Sequence, residues 1–580
     1  MSGLPTVLLA MLGILIAVAV IAALMVWRRK KEGASQEPIF MHKKAFSVQL
    51  VIGIVLGLLS GFLMWNGSIL GEDTTGIARV IHIIGISLIA TSTIIGKVIK
   101  PLLLNSTEAT MSETEICYLS AAEMAKAIRA KKLSPVEITG AVLSRIERIN
   151  PKINAYCTIV AESAMKQAEQ AEAMVTRGEK LGPLHGVPVS IKDLIFTQGI
   201  RTTAGSRIYQ DFVPQQDAIA VERLKAAGAI IIGKTNTAEF GWVAITDNEL
   251  FGLSRNPWNL DRTPGGSSGG AAASVASGIG PVAMGSDGGG SIRIPGSFCG
   301  VFGFKPSFGR VPQHAEFPGW ETLSHTGPIT RTVEDAALTM EVIAGRDDRD
   351  PASLPDTGLR YLPFPTDDLK GLRIAWTPDL GYITVDQQVR QTTEASAKAF
   401  AALGAAVEVA TPTINSPESA FSTIVSARMA AVFGDKMAEW EEHMAPALAR
   451  FIQRSSGISA TQYIEACFEQ LRFWRAIQPF FEKYDLLLTP TSAVPPFEHG
   501  ILGLREIDGK NVGPLEWMAF TYPFNLTGQP AASVPCGWTD DGLPIGLQII
   551  GRRFDDATVL KAAHAFEQTS PWADKKPPLD

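Results

Sequence analysis

Cysteine and histidine are scarce in this chain, with five and eight among 580 residues. Cys117, Cys157, Cys299, Cys467 and Cys536 are widely separated and show none of the paired spacings that hold a metal or staple a small secreted fold. They read as reduced, mostly buried thiols. The histidines, His42, His82, His185, His314, His325, His443, His499 and His564, fall in no motif, so the usual imidazole base is not indicated. The pattern G-x-x-x-x-G-K-[ST] is missing, and no lysine follows the glycine turns where a phosphate loop requires one. Nucleic-acid binding has no basic surface to rest on, because the net charge is −6 and the only strongly basic cluster, Arg28–Lys31, directly follows an apolar run. Internal repeats and long low-complexity stretches are absent.

Apolar residues, in contrast, are plentiful. They make up 46% of the chain and give a mean hydropathy of +0.14, high for a purely soluble protein. The excess lies in the first hundred residues. Leu4–Trp27 carries no charge and is long enough to span a bilayer, Phe46–Trp65 is a second such run, and Val80–Gly96 is a shorter third. Basic residues follow the first run and further runs come after it, which is the pattern of an anchor and not of a cleaved signal peptide. The basic loop Arg28–Lys44 is expected on the cytoplasmic side, with Glu72 and Asp73 opposite. If the third run crosses, the remainder of the chain returns to the cytoplasm.

Two serine-bearing glycine turns stand close together further on: Gly265-Gly-Ser-Ser-Gly-Gly270 and Ser286-Asp-Gly-Gly-Gly-Ser-Ile-Arg293. Glycine lets another group approach the main chain closely, so such turns either pack tightly or direct several N–H groups at one oxygen. Pro281–Met284 reads as a short buried strand, and a helix is expected from Ser291 onward. That strand, turn and helix N-terminus would suit a nucleophile with an oxyanion hole. A serine also needs a base, and with histidine set aside the remaining option is a neutral lysine. Lys192 closes the apolar, β-branched run Val187–Ile191. A strand-end lysine is ordinarily solvated; burial would instead lower its pKa into a working range.

Taken together, Ser190-Ile-Lys-Asp193, Pro264–Gly270 and Asp287–Arg293 resemble the amidase signature family, serine hydrolases with a Ser, cis-Ser, Lys triad. The spacing agrees: Ser267 lies 75 residues after Lys192, and Ser291 lies 24 after Ser267. Gly233–Gly241, Asn256–Asn259, Phe298–Pro306, Gly327–Arg331 and Gly542–Gln548 are also family-like, so the resemblance runs from about Met111 to the C-terminus. It implies Ser291 as nucleophile, Ser267 as proton relay behind a cis Gly266–Ser267 peptide, and Lys192 as general base. The N–H groups of Gly288, Gly289, Gly290 and Ser291 are implied as the oxyanion hole. Ser268, Asp287 and Arg293 are implied in support. Such a reaction requires neither metal nor organic cofactor. Gly288 departs from the family, many of whose members carry threonine there; the backbone N–H is retained.

The resemblance also implies an α/β fold with a large central mixed sheet covered by helices on both faces, here preceded by two or three transmembrane helices. Short apolar strands such as Ile230–Ile232, Leu372–Trp376 and Leu486–Leu488 alternate with helical stretches such as Val333–Ala344, which points the same way. Ser120-x-x-Glu123 and Ser134-Pro-Val-Glu137 are capping boxes that open helices. Residues 416–478 read as helical, and Trp440, Phe451, Tyr463, Phe468, Phe473 and Trp474 within them read as core, although the family tends to place its acyl pocket there.

The expected organisation is a membrane region over 1–104, a linker over 105–114 and an amidase domain over 115–580. Residues 46–104 faintly resemble the opening helices of dicarboxylate or amino-acid cation symporters, and Met111-Ser-Glu-Thr resembles a natural start. A chain starting there would be soluble and cytoplasmic. Three functions are compatible with these features: a membrane-associated amidase for small or amphipathic carboxamides, the glutaminase subunit of a tRNA-dependent amidotransferase with its partner and tRNA, and a non-enzymatic membrane protein or transporter fragment.

Overall fold

A computed structural model describes residues 111–365 and 368–579. The three apolar runs expected to span a membrane, at 4–27, 46–65 and 80–96, lie outside the described residues, as does most of the expected linker. Among the described residues no helix is long and apolar enough to cross a membrane. The first helix among the described residues, Glu113–Cys117, begins inside the stretch expected as linker, because Ser112 and Glu115 form a reciprocal capping box. The two boxes read from sequence are also formed. Ser120 Oγ accepts from Glu123 N at 3.1 Å and Ser134 Oγ from Glu137 N at 3.1 Å, with Pro135 opening the second helix.

The strands are β1 (Tyr156–Ile159), β2 (Pro188–Lys192), β3 (Ile230–Thr235), β4 (Val282–Ser286), β5 (Phe302–Lys305), β6 (Thr326–Thr330), β7 (Arg373–Trp376), β8 (Ala406–Val409), β9 (Leu486–Pro490), the short pair β10 (Glu506–Ile507) and β11 (Lys510–Asn511), β12 (Ala531–Trp538) and β13 (Pro544–Gly551). Eleven of them form one sheet in the order β1-β3-β2-β4-β6-β5-β12-β13-β9-β7-β8. The sheet is mixed. β2 lies parallel to both β3 and β4, β7 lies parallel to β8 and β9, and the other neighbours are antiparallel.

Successive side chains of a strand point to opposite faces, and both faces here are covered. Leu486 and Leu488 of β9 enter one apolar cluster and Leu487 the other; Ile374 and Trp376 of β7 separate from Ala375 in the same way. One cluster takes residues from the helices Pro135–Ile153, Val333–Ile343 and Asp556–Thr569. The second takes them from Glu418–Phe433, Pro446–Ser455 and Ala460–Lys483. The stretch read as helical over 416–478 is thus three main helices with short turns between them. Its aromatics divide: Phe473 is buried in the core, Phe468 is 56% exposed, and Phe451 lines a cavity.

The position of the site follows from this topology. β2 and β4 run side by side in the same direction, so their C-terminal ends deliver Lys192 and Ser286 to one edge of the sheet. In open α/β sheets this edge is where ligands bind.

Candidate active site

Lys192 is fully buried, and its Nζ donates to Ser267 Oγ at 2.7 Å and to Ser286 Oγ at 3.1 Å. Burial, opposed by the nearby Asp287 carboxylate, lowers the lysine from its ordinary 10.5 to about 7. Two further lysines, Lys234 and Lys305, are equally buried but serve other ends. Lys234 Nζ donates to the hydroxyls of Thr197 and Thr202 at 3.1 and 2.8 Å, and Lys305 Nζ to the backbone oxygens of Pro306 and Gln529. Of the three, only Lys192 holds a serine hydroxyl. No histidine among the described residues is hydrogen-bonded to Ser267 or Ser291; His325 instead lies against the carbonyls of Leu323 and Asp287.

Ser267 follows a cis peptide from Gly266. A Cβ on Gly266 would fall 2.3 Å from the backbone carbon of Ile245, so only glycine allows the chain to pass there. Ser267 is succeeded by the helix Gly269–Ala276, which returns the chain to β4. Ser268 ties the two turns together: its N–H donates to Ser291 O at 3.3 Å and its hydroxyl to Ser286 O at 3.2 Å.

Asp287, the residue after β4, shapes the second turn. Its carboxylate accepts from Gly290 N at 2.7 Å and Ile292 N at 3.1 Å, and it forms a two-pronged pair with Arg293, Nη2 to Oδ1 at 2.9 Å and Nε to Oδ2 at 3.0 Å. Both side chains are fully buried. Burial alone would raise the Asp287 carboxyl, but the Arg293 charge and hydrogen bonds, with Lys305 and Asn525, hold it well below the usual carboxylate range. Asn525 donates to Asp287 O and Oδ1, both at 2.8 Å, and Arg293 Nη1 donates to Gln548 Oε1 at 2.7 Å. Turn and sheet are therefore locked through residues far away in sequence.

This arrangement corrects two expectations. The helix after the nucleophile turn spans Arg293–Cys299, so Ser291 stands in the turn ahead of it, 8% exposed. Of the four N–H groups expected to form an oxyanion hole, that of Gly290 is taken up by the Asp287 carboxylate. The N–H groups of Gly288, Gly289 and Ser291 find no acceptor among the described residues. Ser286, a direct partner of Lys192, was not singled out from sequence, although its place beside Asp287 at a strand end was a usable signal. Asn525 had none, whereas Gln548 closes the family-like run Gly542–Gln548.

Ser291 borders two spaces. A small one is shared with Ser267 and Ser286; a large one of about 720 Å³ is walled by Trp242, Phe421, Phe451 and Met518 and edged by Arg450, Arg454 and Arg505. A large apolar chamber beside a few convergent polar groups is the usual form of a small-molecule site. Among the described residues no cluster of histidine, cysteine or carboxylate side chains could hold a metal.

A family model described as Amidase matches residues 137–560. An acylamidase from Rhodococcus erythropolis is 40% identical over 473 residues, covering 80% of this chain and 98% of the relative. The A subunit of the glutamyl-tRNA(Gln) amidotransferase of Carboxydothermus hydrogenoformans is 39% identical over 494 residues, covering 80% and 100%. Among solved structures, a bacterial aryl acylamidase of the amidase signature family superposes with a TM-score of 0.74 at 34% identity, covering 79% of this chain and 97% of that one. The 6-aminohexanoate cyclic dimer hydrolase in complex with substrate gives 0.74 at 31% identity, covering 80% and 99%. With a matching family model over most of the chain, and relatives of this identity covered almost end to end, the chain belongs to the amidase signature family of amide hydrolases.

Proposed function

We propose that this chain hydrolyses carboxamides with a small or amphipathic acyl body through an acyl-enzyme on Ser291. The observation that carries the reading is the 2.7 Å hydrogen bond between Ser267 and a buried Lys192 whose pKa is near 7, since half of such lysines are neutral at that pH and able to accept a proton. Ser291 Oγ attacks the amide carbon while its proton passes to Ser267 and the Ser267 proton passes to Lys192. The N–H groups of Gly288, Gly289 and Ser291 hold the oxyanion, a role in which one donor is typically worth about 3 to 4 kcal/mol. As the C–N bond breaks, Ser267 gives a proton to the departing nitrogen and is reprotonated by Lys192. Water then attacks the ester, its proton following the same relay, and the acid leaves. Ser268, Asp287 and Arg293 position the two turns.

Ser291→Ala is expected to abolish both hydrolysis and labelling by a serine-directed phosphonate. Robust labelling of that variant would remove the assignment. The apolar wall and arginine edge of the large chamber favour amphipathic acyl groups over short polar ones.

A second reading, the glutaminase component of a tRNA-dependent amidotransferase, is favoured by the 39% identity to the amidotransferase relative. It requires tRNA together with a partner protein, and it predicts glutamine hydrolysis that rises only when both are added. Attachment to a membrane through residues 4–27, 46–65 and 80–96, with the catalytic domain over 115–580 on the cytoplasmic side, is proposed on the apolar character of those segments. Sedimentation with membranes after carbonate washing tests it, and a wholly soluble full-length chain would refute it.

A further inference from the structure

Ser291 borders both spaces of the site, whereas Ser267 faces only the smaller. The large chamber includes Ser291 and Gly289 but not Ser267; the inner compartment, about 30 Å³, is lined by Ser267, Ser286, Ser291 and Gly288. In the proposed reaction the departing nitrogen takes its proton from Ser267. That nitrogen must therefore lie in the inner compartment, leaving the acyl group the large chamber. This space is partly open, and as it stands it takes a molecule like water or ammonia, with the Trp320 indole on its wall.

Trp320 lies on the boundary between the two spaces and lines both. Its indole Nε1 donates to Phe240 O at 3.1 Å, and its six-membered ring rests on the nucleophile turn. A Cβ on Gly288 would stand 2.4 Å from Trp320 Cε3 and 2.8 Å from Cζ3. Gly288 is not among the glycines with positive φ, so backbone conformation does not demand glycine there. What demands it is the indole. The departure from the family pattern at this position is the one that admits Trp320.

We infer that Trp320, admitted by Gly288, is a specificity-determining residue that limits the leaving group to ammonia, making the substrates primary carboxamides whose acyl body fills the large chamber. The inference rests on the roles proposed for Ser291 and Ser267. When the tetrahedral intermediate collapses, the C–N bond breaks, the nitrogen receives the Ser267 proton, and an –NH₂ substituent departs as NH₃ within the inner compartment. The hydrolytic water then enters the space that ammonia vacates. An anilide would drive its ring into the indole.

The test uses the full chain and pairs of substrates sharing one acyl group, as primary amide and as anilide, across a short-to-long arylalkanoyl series. Wild type should favour the primary amide by at least about 100-fold in kcat/KM, the scale on which a filled pocket rejects an added group. Trp320→Ala should lower that ratio at least about tenfold by raising the anilide value. Phosphonate labelling of Ser291 shows that the variant is folded. Equal cleavage of both amides by wild type, lost in Ser291→Ala, would overturn the inference and leave the hydrolytic reading standing. So would a Trp320→Ala variant that loses both activities in proportion while still being labelled. Cleavage of either amide that survives Ser291→Ala would instead overturn the reading beneath it.

Discussion

Replacing Lys192 by methionine should stabilise the protein while abolishing its activity, and the stabilisation should depend on pH. The buried ammonium falls from an ordinary 10.5 to about 7. At about 1.4 kcal/mol per pH unit, holding it in the fold costs on the order of 5 kcal/mol wherever it is protonated in both states. Because the folded pKa is the lower one, the unfolded chain binds more protons between pH 7 and 10.5, and stability rises with pH across that window. The penalty is complete below about 7 and relieved as pH climbs. Methionine fills a similar volume and carries no charge, but it forfeits the bonds to Ser267 and Ser286 at 2.7 and 3.1 Å, about 1 kcal/mol each. Urea unfolding at about pH 6 should find Lys192→Met more stable by roughly 2 to 3 kcal/mol, an advantage that shrinks by about 3 kcal/mol at about pH 9. Lys234 and Lys305 are present in both proteins, so their own contributions cancel in the difference. A variant less stable than wild type at the lower pH, or a difference that stays flat between the two, would refute a lysine driven toward neutrality by burial.

The same titration should appear in kinetics. For a primary amide, kcat/KM is expected to fall about tenfold per pH unit below about 7 and to level off above it, and a flat profile from about pH 5 to 8 would exclude Lys192 as the base. Arg293→Met leaves the Asp287 carboxylate buried without its partner and should cost about 3 to 5 kcal/mol in denaturant unfolding. Adding Asp287→Asn should recover much of that stability and, by removing the carboxylate that raises Lys192, move the kinetic midpoint to lower pH. A midpoint that stays in place would show that Asp287 does not act on Lys192.

The sequence by itself determined the local chemistry. Capping boxes at Ser120 and Ser134 depend on side chains three residues apart, and strands such as Leu486–Pro490 follow from short apolar runs, so each was legible where it stood. Ser267 and Ser291 were legible because their turns are written in glycines, one of which, Gly266, admits no substitute beside Ile245, and Lys192 because it closes the apolar run Val187–Ile191 at the matching spacing. Tertiary structure alone decided the rest, because it depends on groups brought together from distant parts of the chain. The Gly290 N–H could have served an oxyanion until the fold turned the Asp287 carboxylate, itself fixed by Arg293 and Asn525, onto it. Lys192 could have been an ordinary surface cation until the fold buried it against Ser267 and Ser286. Glycine at 288 acquired its meaning only when the loop bearing Trp320 was folded against it.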